Sequence, residues 1–144
     1  MVDRSSALDS NYLIGKNSTN NPSLLQFHEK KNLQLIQVAS WPKTINAVGN
    51  SIAHHLKFKE YATHNQAIAN NSVVMMRIEP LKWWIIGSDI PKFSSEEATD
   101  IDLSHSFTHL QISGQKASIF LNRHLPIDFR EKNFPINSVI SSAI

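Results

Sequence analysis

The apolar period changes again and again along this chain, most clearly from Ile101 to Phe134, which reads IDLSHSFTHLQISGQKASIFLNRHLPIDFREKNF. A short strand-like piece ends in DLSHS. Phe107–Ile112 then alternates, as a strand does when successive side chains point to opposite faces. Gly114 starts a helix whose apolar positions are Ala117, Phe120, Leu121 and, at its end, Leu125. Pro126 closes that helix, because proline cannot continue one. A chain that switches period in this way has to combine sheet and helix.

The same switch occurs earlier. Leu33–Trp41 carries apolar groups on both faces, which predicts a well-buried strand. Pro42 sits where a helix can begin, its missing N–H being harmless in the first turn. Ile45, Val48, Ile52 and Leu56 follow at spacings of three and four and form one stripe of an amphipathic helix. Gly49 inside it marks a place of close packing. Tyr61–Ser72 is loop-like and ends in an Asn-Asn-Ser turn signal. Val73–Ile78 and Trp83–Gly87 read as a hairpin, with the turn at Glu79–Lys82, where Pro80 cannot donate to a ladder. Ser88–Asp100, with Pro91 and the acidic residues from Glu96 onward, reads as a loop. Phe129 and Phe134–Val139 start another short extended element.

Residues 1–31, rich in Ser, Asn and Lys, show no sustained period and read as a mobile arm. Leu13, Ile14, Leu24, Leu25 and Phe27 could dock that arm on a neighbour. Residues 32–144 are then a single α+β domain, an antiparallel sheet with helices on one face. The two strand–helix units, 33–57 and 108–125, are compatible with a ferredoxin-like split arrangement.

Composition narrows the chemistry. The chain has 144 residues, enough for one real core, and an ordinary apolar share of 41%. The longest apolar runs, VVMM and WWII, are too short to cross a bilayer. No apolar leader segment opens the chain, so a cytoplasmic protein is expected. The absence of cysteine removes disulfides, thiolate catalysis and cysteine-ligated metals. Fourteen basic residues stand beside twelve acidic ones, with no concentrated basic face, which argues against nucleic acid.

No position announces catalysis. Asp102, Ser104 and His105 resemble pieces of a triad, but neighbouring strand residues diverge, so Ser104 and His105 would face opposite ways. No Gly-x-Ser-x-Gly elbow surrounds the serine. Asp102 and Ser104 can share a face and hold a turn. His105 and His109, four apart in extended chain, lie roughly 13 Å from each other, too far to share an ion. SGQKAS around Gly114 holds one glycine, where a dinucleotide fingerprint needs three. One of Trp83 and Trp84 faces the core and the other is the interface candidate. Asp128 and Arg130 flank Phe129 and read as a solvated pair.

Several short motifs occur in a set order: Trp41-Pro42, Val48-Gly49, then Arg77, Ile78, Pro80, Trp83 and Gly87 as R-I-x-P-x-x-W-x-x-x-G. DLSHS (Asp102 to Ser106) and I-S-G (Ile112 to Gly114) follow. Last comes L-P-x-D-F-R-x-x-x-F-P, with Leu125, Pro126, Asp128, Phe129, Arg130, Phe134 and Pro135. This order resembles the gamma subunit of heterotetrameric sarcosine oxidase. More distantly it is similar to the folate-binding domain of the glycine-cleavage T-protein, an aminomethyltransferase. The resemblance covers about Leu33 to the end.

It implies a small, non-catalytic subunit with no cofactor of its own. FAD, FMN, NAD, zinc and tetrahydrofolate would sit on the alpha, beta and delta subunits, with alpha the main contact. Such an assembly oxidises sarcosine, releases hydrogen peroxide and passes the one-carbon unit to tetrahydrofolate. The alternative from another class is a stand-alone folate-binding or aminomethyl-transferring protein. Two departures stand out. Phe107 occupies a place where relatives often carry a basic residue. Relatives also continue beyond the FPxxS segment, so this chain is expected to lack the C-terminal part of the family domain and to be marginal alone. On this reading Trp83, Trp84, Asp102, Ser104, His105, Gly114, Asp128 and Arg130 serve architecture or an interface.

Overall fold

A computed structural model of the chain describes residues 6–9 and 24–142. These fall into two compact units. One joins Leu33–Ser106 with Pro135 onward; the other joins the described residues before Leu33 with Phe107–Phe134. The sequence suggested one domain after residue 31; the contacts group the described residues into these two units.

The larger unit is a five-stranded antiparallel sheet with one helix. Its strands are β2 (Leu35–Ser40), β3 (Ala67–Asn70), β4 (Val73–Glu79), β5 (Lys82–Ile86) and β6 (Ala98–Asp102), and its helix is α1 (Ile45–His55). The strand order is β3-β4-β5-β2-β6. The strands β2 and β4 run parallel with β5 between them, and the chain passes from β2 to β4 through α1 and then the edge strand β3. Apart from β3, this is the split β-α-β arrangement.

Register sorts the side chains into two faces. Val38 lies opposite Trp83, Met75 opposite Ile85, Ile68 opposite Met75, and Ser40 opposite Ala98. Paired residues share a face, so these line one side of the sheet. There α1 lays down Val48, Ile52 and Leu56, and the three join Val38, Met75, Trp83, Ile85 and Ala98 in the core. Ile45, the first residue of the expected stripe, packs against it as well.

Both ends of α1 are held by specific bonds. At its start, Thr44 Oγ1 accepts the Trp41 N–H (3.1 Å) and donates to the Glu97 carbonyl (2.7 Å). At its end, Lys57 adopts φ 60°, its N–H reaches His54 O (3.1 Å), and the Phe58 N–H reaches Ala53 O (2.8 Å). That pair of bonds is the Schellman closure, which satisfies carbonyls the helix leaves open. It also delivers Phe58 onto the core. The close packing expected at Gly49 is present: a Cβ there would lie 2.8 Å from the Tyr61 ring.

The smaller unit contains β1 (Gln26–Glu29), β7 (Leu110–Ser113) and α2 (Ala117–His124). β1 pairs antiparallel with β7, Phe27 opposite Ile112 and Glu29 opposite Leu110. One face of this ribbon therefore carries Phe27, Ile112, Leu110 and Glu29. The other carries Gln26, His28, Gln111 and Ser113. The α2 side chain Phe120 meets Phe27 edge to face, with ring centroids 5.1 Å apart.

Several expectations are corrected. The arm over 1–31 contains strand β1, Phe27 included; its Leu13 and Ile14 lie outside the described residues. The Tyr61–Ser72 loop contains β3, whose short Ala-Ile-Ala-Asn run is ordered by pairing with β4. The Ser88–Asp100 loop ends in β6, an edge strand that starts at Ala98, ahead of the strand-like piece read as ending in DLSHS. β7 begins at Leu110 rather than Phe107. The strand–helix unit at 108–125 is not part of the five-stranded sheet, because β7 pairs with β1. The helices accordingly belong to different units, α1 to that of the five-stranded sheet and α2 to that of the β1–β7 ribbon. Between β5 and β6 the chain returns without a helix, and Ile90 and Phe93 of that segment pack on the core. Finally, Pro135–Ser138 is a turn with Asn137 at φ 67°, followed by a bridge of Ser138 to Gln66, instead of an extended run.

Candidate functional site

The DLSHS segment lies just past the end of β6. The Asp102 carboxylate accepts the Ser104 N–H at 2.8 Å, and Ser104 Oγ accepts the Leu35 N–H at 3.0 Å. Beside it the Leu103 N–H reaches Leu35 O at 2.8 Å, and the Ser106 N–H returns to Leu103 O at 2.9 Å. These bonds extend the β2–β6 ladder around a corner after strand pairing ends. Asp and Ser suit the position because short polar side chains reach nearby backbone groups. Hydrogen bonds from Ser104, aided by the nearby His105, hold the Asp102 carboxyl below its usual range. His105 is exposed.

The Arg77–Gly87 motif is a hairpin device. A register irregularity separates Arg77 from Glu79 across from β5. Arg77 Nε donates to Pro80 O at 3.1 Å, and its Nη2 reaches the same oxygen. The guanidinium carbon lies 5.4 Å from the Trp83 ring centroid, within cation–π reach. Trp83 is fully buried, meets Tyr61 edge to face at 6.2 Å, and donates its indole N–H to Ala62 O at 3.3 Å. Gly87 closes the strand at φ +80°, where a Cβ would lie 2.4 Å from Ser72 O. Only glycine combines that backbone angle with that approach.

Trp83 is therefore the inward tryptophan. Trp84 lies on the opposite face, half-buried, and its indole N–H donates to Gln37 Oε1 at 3.0 Å. The alternation was legible but its phase was not, because both tryptophans sit in the same apolar run.

Gly114 has φ +110°, and a Cβ there would lie 2.6 Å from Leu24 O. The Lys116 N–H donates to that same oxygen at 2.8 Å. The glycine thus lets the β7–α2 turn close on the chain entering β1. After α2, the Phe129 N–H bonds to Asn122 Oδ1 at 2.6 Å, folding the chain back on the helix. Asp128 then accepts Arg130 Nε at 2.9 and 3.0 Å and the Arg130 backbone N–H at 3.0 Å. These Arg130 contacts, with Asn133, hold the Asp128 carboxyl well below the usual carboxylate range. Phe129 and Phe134 pack edge to face across this turn, 5.2 Å apart.

The eight candidates divide between the two units. Trp83, Trp84, Asp102, Ser104 and His105 belong to the larger unit, and Gly114, Asp128 and Arg130 to the smaller. Among the described residues, no group of three His, Asp or Glu side chains is placed to hold a metal ion. Nor is any described helix long and apolar enough to cross a membrane. Sequence reasoning passed over Thr44 and Gln37, which bind Glu97 and Trp84. A polar residue at a helix start or within an apolar strand was the available signal.

No family model matches the chain. No curated protein matches it. Among solved structures, a chain of heterotetrameric sarcosine oxidase from Corynebacterium sp. U-96, in complex with pyrrole 2-carboxylate, is similar to it. The likeness covers 86% of this chain and 67% of that one, with a TM-score of 0.65 and 14% sequence identity. At that identity the likeness is one of fold, and the α+β fold is what this chain shares with a chain of that assembly.

Proposed function

We propose that this chain is a non-catalytic, gamma-type subunit of a sarcosine oxidase-like flavoprotein complex. The observation that carries the reading is the fold likeness over 86% of the chain to a chain of a heterotetrameric sarcosine oxidase. The motif residues support it. Asp102 and Ser104 cap a ladder, Arg77 and Gly87 build a hairpin, and Gly114, Asp128 and Arg130 shape turns. Their polar groups make hydrogen bonds within the chain.

On this reading the chain works in the cytoplasm and stabilises the assembly by packing on an alpha-type subunit, alongside beta- and delta-type chains. FAD, FMN, NAD, zinc and tetrahydrofolate belong to those partners. The amine oxidised is sarcosine, and the one-carbon unit passes to tetrahydrofolate.

The test is affinity purification of the tagged chain from its native host, read by mass and visible absorbance. The expected result is a yellow complex with a large flavoprotein that forms hydrogen peroxide from sarcosine. A colourless chain recovered alone would overturn the reading. If that lone chain bound tetrahydrofolate in calorimetry, the stand-alone folate-binding alternative would replace it.

A further inference from the structure

We draw no further inference here: the strongest candidate, the exposed apolar residues Phe27, Leu110 and Ile119 of the β1–β7 ribbon and helix α2, carries nothing because no feature of the described residues shows what covers them.

Discussion

The two units solve the same problem with unequal means. In the larger one, α1 lies on a five-stranded sheet, and Leu35, Val38, Ile52, Met75, Trp83 and Ile85 are completely buried. In the smaller one, a two-stranded ribbon carries an eight-residue helix, and none of its described residues is fully buried. Phe27 is 46% exposed there, and Leu110 and Ile119 are each 51% exposed. Two strands with one short helix enclose too little volume to hide a side chain on every side, and an isolated pair of strands is marginal in water. A helix of that length is likewise below what stands alone. The comparison teaches where stability resides: in buried apolar volume for the sheet unit, and in backbone closure for the ribbon unit. Gly114 on Leu24 and Asn122 on Phe129 are such closures.

The strongest way to break this contrast is Trp83→Ala. Emptying a fully buried tryptophan site is expected to cost about 3–5 kcal/mol, measured by chemical denaturation. A loss below about 1 kcal/mol would mean that the sheet core is not what holds that unit. Gly114→Ala tests the other side. Its Cβ has no room against Leu24, and the φ of +110° disfavours any side chain. The expected penalty is about 1–3 kcal/mol, and it should fall locally. Hydrogen exchange should then show faster amides in β1 and β7 with β4 and β5 unchanged. Equal loosening of all four strands would show that the two regions open together.

Smaller still is Ser104→Ala, which removes the acceptor for the Leu35 N–H. A buried donor left without a partner costs about 1–3 kcal/mol, and here the lower end is expected because the neighbouring Leu103–Leu35 bond remains. Restoration by Ser104→Thr would tie the effect to the hydroxyl. The least effect on stability belongs to Arg130→Ala, since exposed ion pairs contribute little. Its signature is titration. Asp128 has its carboxyl lowered in the fold, so whatever it adds to stability is complete above the ordinary carboxylate value, and it is lost as pH falls through the lowered one. Without Arg130, carboxyl NMR should show Asp128 titrating closer to about 3.9. An unmoved titration would mean that Asn133 and the backbone N–H suffice.

How much of this could be read beforehand depended on whether a segment's own pattern or its partner's decides its structure. β2, α1, the β4–β5 hairpin and α2 each carry an internal period, and each stands near its expected place. β1 and β3 carry none, and β6 was read only at its end, as the strand-like piece before DLSHS. Gln-Phe-His-Glu has one apolar residue, Ala-Ile-Ala-Asn is poor in strand formers, and Ala-Thr-Asp-Ile-Asp carries the charges that blunt a sheet edge. Such segments are strands because a neighbour offers hydrogen bonds; for β1 and β6 that neighbour is distant in sequence, and for β3 it is β4, across the turn between Asn70 and Val73. The candidate residues divide in the same way. The Asp128–Arg130 contact is local and was readable from spacing. The bond from Leu35 to Ser104 joins residues far apart in sequence, and no local pattern records it.

The strand order also dictates how the chain can assemble in time. The β4–β5 hairpin turns at Pro80 and Leu81, so its contacts can form on the microsecond scale of an isolated hairpin. Every other pairing of β5 and β2 waits on larger loops. β6 pairs with β2, the sheet's first strand in sequence, so this pairing closes the longest loop of the sheet and is expected to form late. The corner built by Asp102 and Ser104 is thus a late clasp. It adds little to the search for the fold and acts mainly to slow the sheet's reopening.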